Sequence, residues 1–313
     1  MNQAIAQEIP QEIQQVLKGL ALNRRPGWHF PGNFLELSFD GVGAEGARLS
    51  LNPGPHCIDA DGQTNRGAVG LLADSALSAG IREHAGFAVR MATVSMTLQF
   101  TAAPRVGRLE ARGGFDGFHQ GASGRQGLAR AEIYTDGQLL CTASGSFMVL
   151  DRTEGLQQMP LWRNGAAEDP PMPALTVEDL TEDEQAVYQR ACEAMAPGPA
   201  GFIERFWLAQ PERRERGASC DYVNGPHIGN RVGHTQGGIV IALAMHTADA
   251  ALGAGWRLVG LSSWYVRPGT GPVLHAQADI LHQGGFTAVV QIRLLDAAGA
   301  TVLMAMSNHS RTA

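Results

Sequence analysis

The chain has 313 residues, 44% hydrophobic and 17% charged, a composition that suits well-packed structure and leaves room for two domains of ordinary size. Its formal net charge is −6, and its 24 Lys and Arg residues form no basic run or stripe, which argues against a nucleic-acid partner. No apolar run reaches the roughly 18–20 residues that span a bilayer. Residues 1–20 lack a basic start followed by an apolar stretch, and Cys57, Cys141, Cys192 and Cys220 show no CxxC spacing. A cytoplasmic protein with reduced thiols and no membrane contact is therefore expected.

Residues 4–20 carry Ile5, Ile9, Ile13, Val16, Leu17 and Leu20 near helical spacing, which predicts an amphipathic helix. Residues 26–32 read as a turn-rich bridge. Leu35, Leu37 and Phe39 alternate with polar residues, as do Ala47, Leu49 and Leu51, and both runs predict strands. After a loop over 53–64, residues 65–77 form a helix too apolar to face water on any side, a pattern that only a helix wrapped by sheet tolerates. Asp74 is the one carboxylate in its middle, and a lone buried acid is costly unless it is hydrogen-bonded or used. Val94, Met96, Leu98 and Phe100 then alternate with Thr93, Ser95, Thr97 and Gln99, the pattern of a half-buried antiparallel strand that ends by Pro104. Further strands are expected over 109–115, 127–134 and 139–150, with Asp136-Gly137 as a hairpin turn.

Residues 151–175, with Asn164-Gly165 and Pro170-Pro171-Met172-Pro173, read as a linker. Residues 176–195 predict a helix with Thr181 and Glu184 in capping-box spacing, closed by Pro197 and Pro199. The second half then repeats the first. Gly54-Pro55-His56 recurs as Gly225-Pro226-His227 at the same distance before a buried helix, and the second such helix runs over residues 237–245. His119-Gln120-Gly121 recurs as His282-Gln283-Gly284, and the segment from Phe100 to Pro104 recurs as Tyr265-Val266-Arg267-Pro268. The expected domains are 1–150, with its N-terminal helix, a linker with a helix over 151–199, and 200–313. Each domain would pack one long buried helix against an antiparallel sheet, an α+β architecture.

This pattern resembles the hotdog fold in tandem, the double hotdog of acyl-CoA thioesterases of the phenylacetate-pathway and medium-chain types. The likeness rests on Leu72-Ala73-Asp74-Ser75-Ala76, the strand over 93–100, Pro104 with Gly107, and Gly145-Ser146-Phe147 in the first half. In the second half it rests on Gly237-Gly238 and Trp264-Tyr265-Val266-Arg267-Pro268. The family resembled has His-Gly-Gly at the start of its buried helix and a catalytic acid nine residues after that His. Here Asn65, Arg66 and Gly67 stand at the start of the first helix and Gln236, Gly237 and Gly238 at the start of the second. The acid position holds Asp74 in the first copy and Met245 in the second, so neither copy carries the whole motif.

Nine residues of helix rise about 13 Å, too far for one helix to supply both groups to one thioester carbon. The resemblance implies a shared site, with the helix start from one copy and the acid from the other. Asp74, Thr93, Gln236 and Gly238 are then the expected catalytic residues, with Gly237, Asn65, Gly67 and Ser144 as substrate-binding positions. Met245 is expected to face residues 65–67 in a degenerate second site. Asp74 would activate water or attack directly, and free amides at a helix start would hold the carbonyl oxygen as charge builds on it. Acyl-CoA is the implied substrate, with CoA as part of it and no other cofactor, and a homo-oligomer is compatible.

Other readings stay open at the level of sequence. Asp74 could be structural, and Gly237-Gly238 could serve close helix packing alone. His246 and Asp249, three apart on the second helix, form a rival pair. No GxSxG elbow, metal-ligand spacing or phosphate loop is present. A hotdog enoyl-CoA hydratase or dehydratase and a non-catalytic acyl-CoA-binding protein are the competing functions.

Overall fold

A computed structural model describes residues 9–43, 46–86, 89–122, 124–150 and 175–312. Pro10 sets the start of α1 (Gln11–Asn23), which buries Ile13, Val16, Leu17 and Leu20. The helix therefore begins later than the periodicity of residues 4–20 suggests and runs three residues further. Ile5 and residues 151–174 of the linker expected over 151–175 lie outside the described residues. The bridge over 26–32 contains the start of a short helix, α2 (Phe30–Phe34), capped by His29, whose Nδ1 accepts from the Gly32 amide. Leu35 closes that helix, so the first strand, β1 (Ser38–Gly43), begins after Leu37. Strand β2 (Gly46–Leu51) follows.

Next come α3 (Arg66–Ala85), β3 (Arg90–Phe100), β4 (Leu109–Gly121), β5 (Gly124–Thr135) and β6 (Gln138–Leu150). A helix α4 (Glu182–Ala194) opens on the Thr181–Glu184 capping box, as its sequence predicts. A six-residue helix, α5 (Phe202–Trp207), too short to announce itself by periodicity, follows it. The remaining elements repeat the first half: β7 (Glu212–Arg214), β8 (Gly217–Val223), α6 (Gly237–Leu252), β9 (Trp256–Tyr265), β10 (Val273–Gln283), β11 (Thr287–Asp296) and β12 (Thr301–Arg311).

All twelve described strands form one antiparallel sheet in the order β1-β2-β4-β5-β6-β3-β9-β12-β11-β10-β8-β7, so the second half mirrors the first about the β3–β9 seam. The centre of that seam is the pair Thr97↔Ser262. On either side, Ser95 faces Trp264 and Gln99 faces Gly260, so each strand presents equivalent positions to the other. The register of each strand also slips at the same place, between Thr93 and Ser95 in β3 and opposite the Asn308/His309 step in β9. Such a bulge re-aims the side chain beside it.

Helices α3 and α6 pack on each other as well as on the sheet. This explains their lack of a polar face: Leu71, Leu72, Leu77 and Ile81 of α3, and Ile239, Ile241 and Leu243 of α6, are wholly buried. The two helices cross closely at glycine. A Cβ on Gly238 would lie 2.5 Å from the Cα of Leu71, and one on Gly67 would lie 2.7 Å from the Cβ of Ala242. A satellite aromatic cluster joins α2 to α5, with Phe34 centred 5.2 Å from Phe206 and 5.7 Å from Trp207. The Arg24–Glu184 ion pair spans α1 and α4 nearby.

Candidate active site

Asp74 lies in the third turn of α3 and is only 6% exposed. Its carboxylate meets the start of α6 from the other repeat. The amide Nε2 of Gln236 donates to Asp74 Oδ2 at 2.7 Å, and the hydroxyl of Thr93 donates to Oδ1 at 3.0 Å. Gln236 is the N-cap of α6 and is held from both sides: its Oε1 accepts from the Ile239 amide at 3.0 Å and its own backbone N–H donates to Ile228 O at 2.9 Å. One side chain thus caps the helix and grips the acid. Thr93 owes its aim to the bulge that follows it in β3.

Burial pushes the Asp74 carboxyl up from its ordinary 3.8 to about 6, although hydrogen bonds from Thr93, Gln236 and the Gly238 backbone pull in the opposite direction. A carboxylate with that affinity for a proton is ionised near neutrality and is a stronger base than an exposed one.

The two glycines of α6 have different jobs. A Cβ on Gly237 would lie 2.8 Å from the Thr93 hydroxyl and 3.2 Å from Asp74 Oδ1, so Gly237 keeps the site open. Gly238 instead lets α6 cross α3, while its backbone helps hold Asp74. Among the described residues the Gly237 amide has no acceptor within the protein. It sits beside the carboxylate at the positive end of the helix dipole, an arrangement suited to an oxyanion. The Gly237 carbonyl accepts from the hydroxyl of the half-buried Tyr265 at 2.7 Å. Tyr265 was not among the site residues expected from sequence. Its signals there are the match between 265–268 and the segment that begins at Phe100, and its place in the motif over 264–268 that carries the resemblance.

Three of the expected positions lie away from Asp74. Ser144 is exposed, because the two-residue alternation of β6 turns it to the outer face of the sheet while Ala143 and Phe147 face inward. It therefore does not face Asp74. Asn65 and Gly67 lie at the opposite end of the helix pair, where Asn65 Oδ1 caps the Gly67 amide at 2.7 Å and Asn65 Nδ2 donates to Asp59 at 2.6 Å. The rival pair is also split: His246 Nε2 bonds Ala209 O at 2.9 Å, whereas Asp249 pairs with Arg66 at 2.7 Å.

That opposite end mirrors the Asp74 end without its acid, its hydroxyl donor or its glycine helix start. Met245 takes the place of Asp74, and Arg66 opens α3 where Gly237 opens α6. Leu258 stands four residues before the centre of the seam, as Thr93 does, and Phe100 stands three after it, as Tyr265 does.

No family model matches the chain, and no curated protein matches it by sequence. Solved structures do. A conserved protein of unknown function with hotdog fold from Alicyclobacillus acidocaldarius is similar at a TM-score of 0.53 and 11% identity, over 88% of this chain and 96% of that one. The tesB protein of Mycobacterium avium subspecies paratuberculosis is similar at a TM-score of 0.51 and 15% identity, over 89% and 96%. A candidate thioesterase from Novosphingobium aromaticivorans is similar at a TM-score of 0.52 and 15% identity, over 87% and 98%. By its architecture and by these likenesses, the chain has the hotdog fold.

Proposed function

We propose that the chain is an acyl-CoA thioesterase in double-hotdog form, with one composite site and one that has lost its catalytic groups. The observation that carries this reading is the meeting of Asp74, from the first repeat, with the capped start of α6, from the second. Thioesterase names among structures of the same fold agree with it.

In this reading the acyl carbonyl lies against the start of α6, with its oxygen toward the Gly237 amide. Asp74 takes a proton from a water molecule as the water oxygen attacks the carbonyl carbon. The Gly237 N–H and the helix dipole hold the charge on the tetrahedral oxygen. The carbon–sulfur bond then breaks, and the thiolate leaves with the proton that Asp74 returns. Gln236 and Thr93 fix the carboxylate throughout, and the Tyr265 hydroxyl fixes the first peptide of α6. Alternatively Asp74 attacks the carbon itself and water releases the acid from the resulting anhydride. Both routes need no metal or redox group.

The test is free-thiol release from a panel of short, medium, long and aromatic acyl-CoA esters. Turnover of at least one class, with CoA as a product, is the expected result. No turnover of any member, with tight binding of the intact ester, would overturn hydrolysis in favour of a binding protein.

A further inference from the structure

The end of the helix pair opposite Asp74 is not merely blank. It borders a cavity of about 170 Å³, walled on the apolar side by Phe100, Pro104 and Leu258 and on the polar side by Arg66, Arg105 and Arg257. None of these arginines has a basic counterpart at the Asp74 end. Arg66 corresponds to Gly237 as the first residue of its buried helix. Arg105 corresponds to Gly269: the Arg105 carbonyl accepts from the Thr64 amide at 2.7 Å, and the Gly269 carbonyl accepts from the Thr235 amide at 2.9 Å. Arg257, five residues before the centre of the seam, corresponds to Ala92. The end of the helix pair that lacks the acid, the hydroxyl donor and the open helix start instead has three guanidiniums, contributed by both repeats, around one cavity.

The charges around that cavity are mostly matched. Arg66 pairs with Asp249, which also lies 3.6 Å from the Nδ1 of His309. Arg105 is 8% exposed, anchored on Thr64 O at 2.7 Å, and lies 3.8 Å and 3.5 Å from Asp59 and Asp61. Arg257 is exposed and forms no ion pair among the described residues. Among the residues that line the cavity none is a carboxylate, and Arg257 places its unpaired guanidinium beside the apolar wall. A compact oxyanion attached to an apolar body matches both sides of such a cavity.

We infer that this degenerate half-site is a non-catalytic binding site for an organic anion, with Arg257 and Arg66 facing its oxyanion and Phe100, Leu258 and Pro104 packing its apolar part. Two sources carry that chemistry, the carboxylate of a free acid and the phosphate of a nucleotide. The inference rests on the pairing of the two repeats and not on hydrolysis.

Calorimetric titration of the whole chain with decanoate and, separately, with adenosine 3′,5′-bisphosphate tests it without any need for turnover. The expected result is one equivalent bound of at least one probe, with affinity reduced about tenfold or more in Arg257→Ala and in Arg66→Gly but unchanged in Asp74→Ala. Binding of decanoate alone identifies a free acid as the source, and binding of the bisphosphate alone identifies a nucleotide phosphate. Because Arg257 is exposed, its replacement leaves the fold intact, which a thermal melt checks. Absence of binding by both probes would overturn the proposal. So would binding that survives both arginine changes or is lost in Asp74→Ala.

Discussion

The two ends of the α3–α6 pair have one backbone plan and opposite chemistry. At one end, Asp74, Thr93 and Tyr265 surround the glycine start of α6. At the other, Met245, Leu258 and Phe100 occupy the matching places and Arg66 fills the helix start. The strand order, the bulges and the N-caps are kept in both. The scaffold is thus compatible with either set of side chains, and the proposed reactivity belongs to a few positions and not to the fold.

The contrast can be broken or sharpened by substitution. The largest effect is expected from Asp74→Ala, which removes the one carboxylate that the described residues place at the site; thiol release should fall by about a hundredfold or more, whereas Met245→Ala at the mirror position should leave it within about twofold. Gly237→Ala places a methyl group against the Thr93 hydroxyl and Asp74, and a drop in kcat of about tenfold to a hundredfold is expected from the displaced groups. Gly238→Ala should instead show itself in stability, because its Cβ would fall 2.5 Å from the Cα of Leu71. A loss of about 1–3 kcal/mol in denaturant unfolding is expected from such overpacking.

Smaller effects concern the proton. Activity that needs the Asp74 carboxylate should rise with pH through about 6 and level off above it. Gln236→Ala removes a donor to the carboxylate, so kcat/KM should fall about tenfold and its midpoint should move to higher pH. The same group affects stability with a definite sign. Because the folded chain holds the Asp74 proton more tightly than the unfolded chain does, this contribution is full below about pH 4 and is lost as pH rises through about 6. Asp74→Asn should therefore melt at a higher temperature than the parent at pH 7.5, by at most about 3 kcal/mol in stability, and the gap should close below pH 4.

How much of this was legible beforehand follows from where the physical signals lie. The buried helices and the repeat could be read because a helix with no polar face and recurring Gly-Pro-His segments are patterns of many residues. The short helices α2 and α5 have five and six residues, too few to display a period, and their stability comes from aromatic packing between distant segments. Ser144, a position implied by resemblance, lies on the outer face of β6, and a resemblance of short motifs does not say which face a residue takes until the register is known. The separate roles of Gly237 and Gly238 were invisible for the same reason: a sequence shows two glycines, and only the crossing of α3 and α6 shows what a Cβ on each would strike. Tyr265 lay within a recurring segment, but its hydroxyl gains meaning only from the Gly237 carbonyl 2.7 Å away.

The most direct test of a single composite site is thiol release by Asp74→Asn at pH 7.5, measured beside its melting temperature and using the best acyl-CoA from the panel. Asn keeps the size of the side chain and removes its basicity. The expected result is a loss of a hundredfold or more with a melting temperature equal to or above that of the parent. Activity within a few fold of the parent, in a chain that melts no lower, would contradict the role of Asp74 and with it the asymmetry between the two ends.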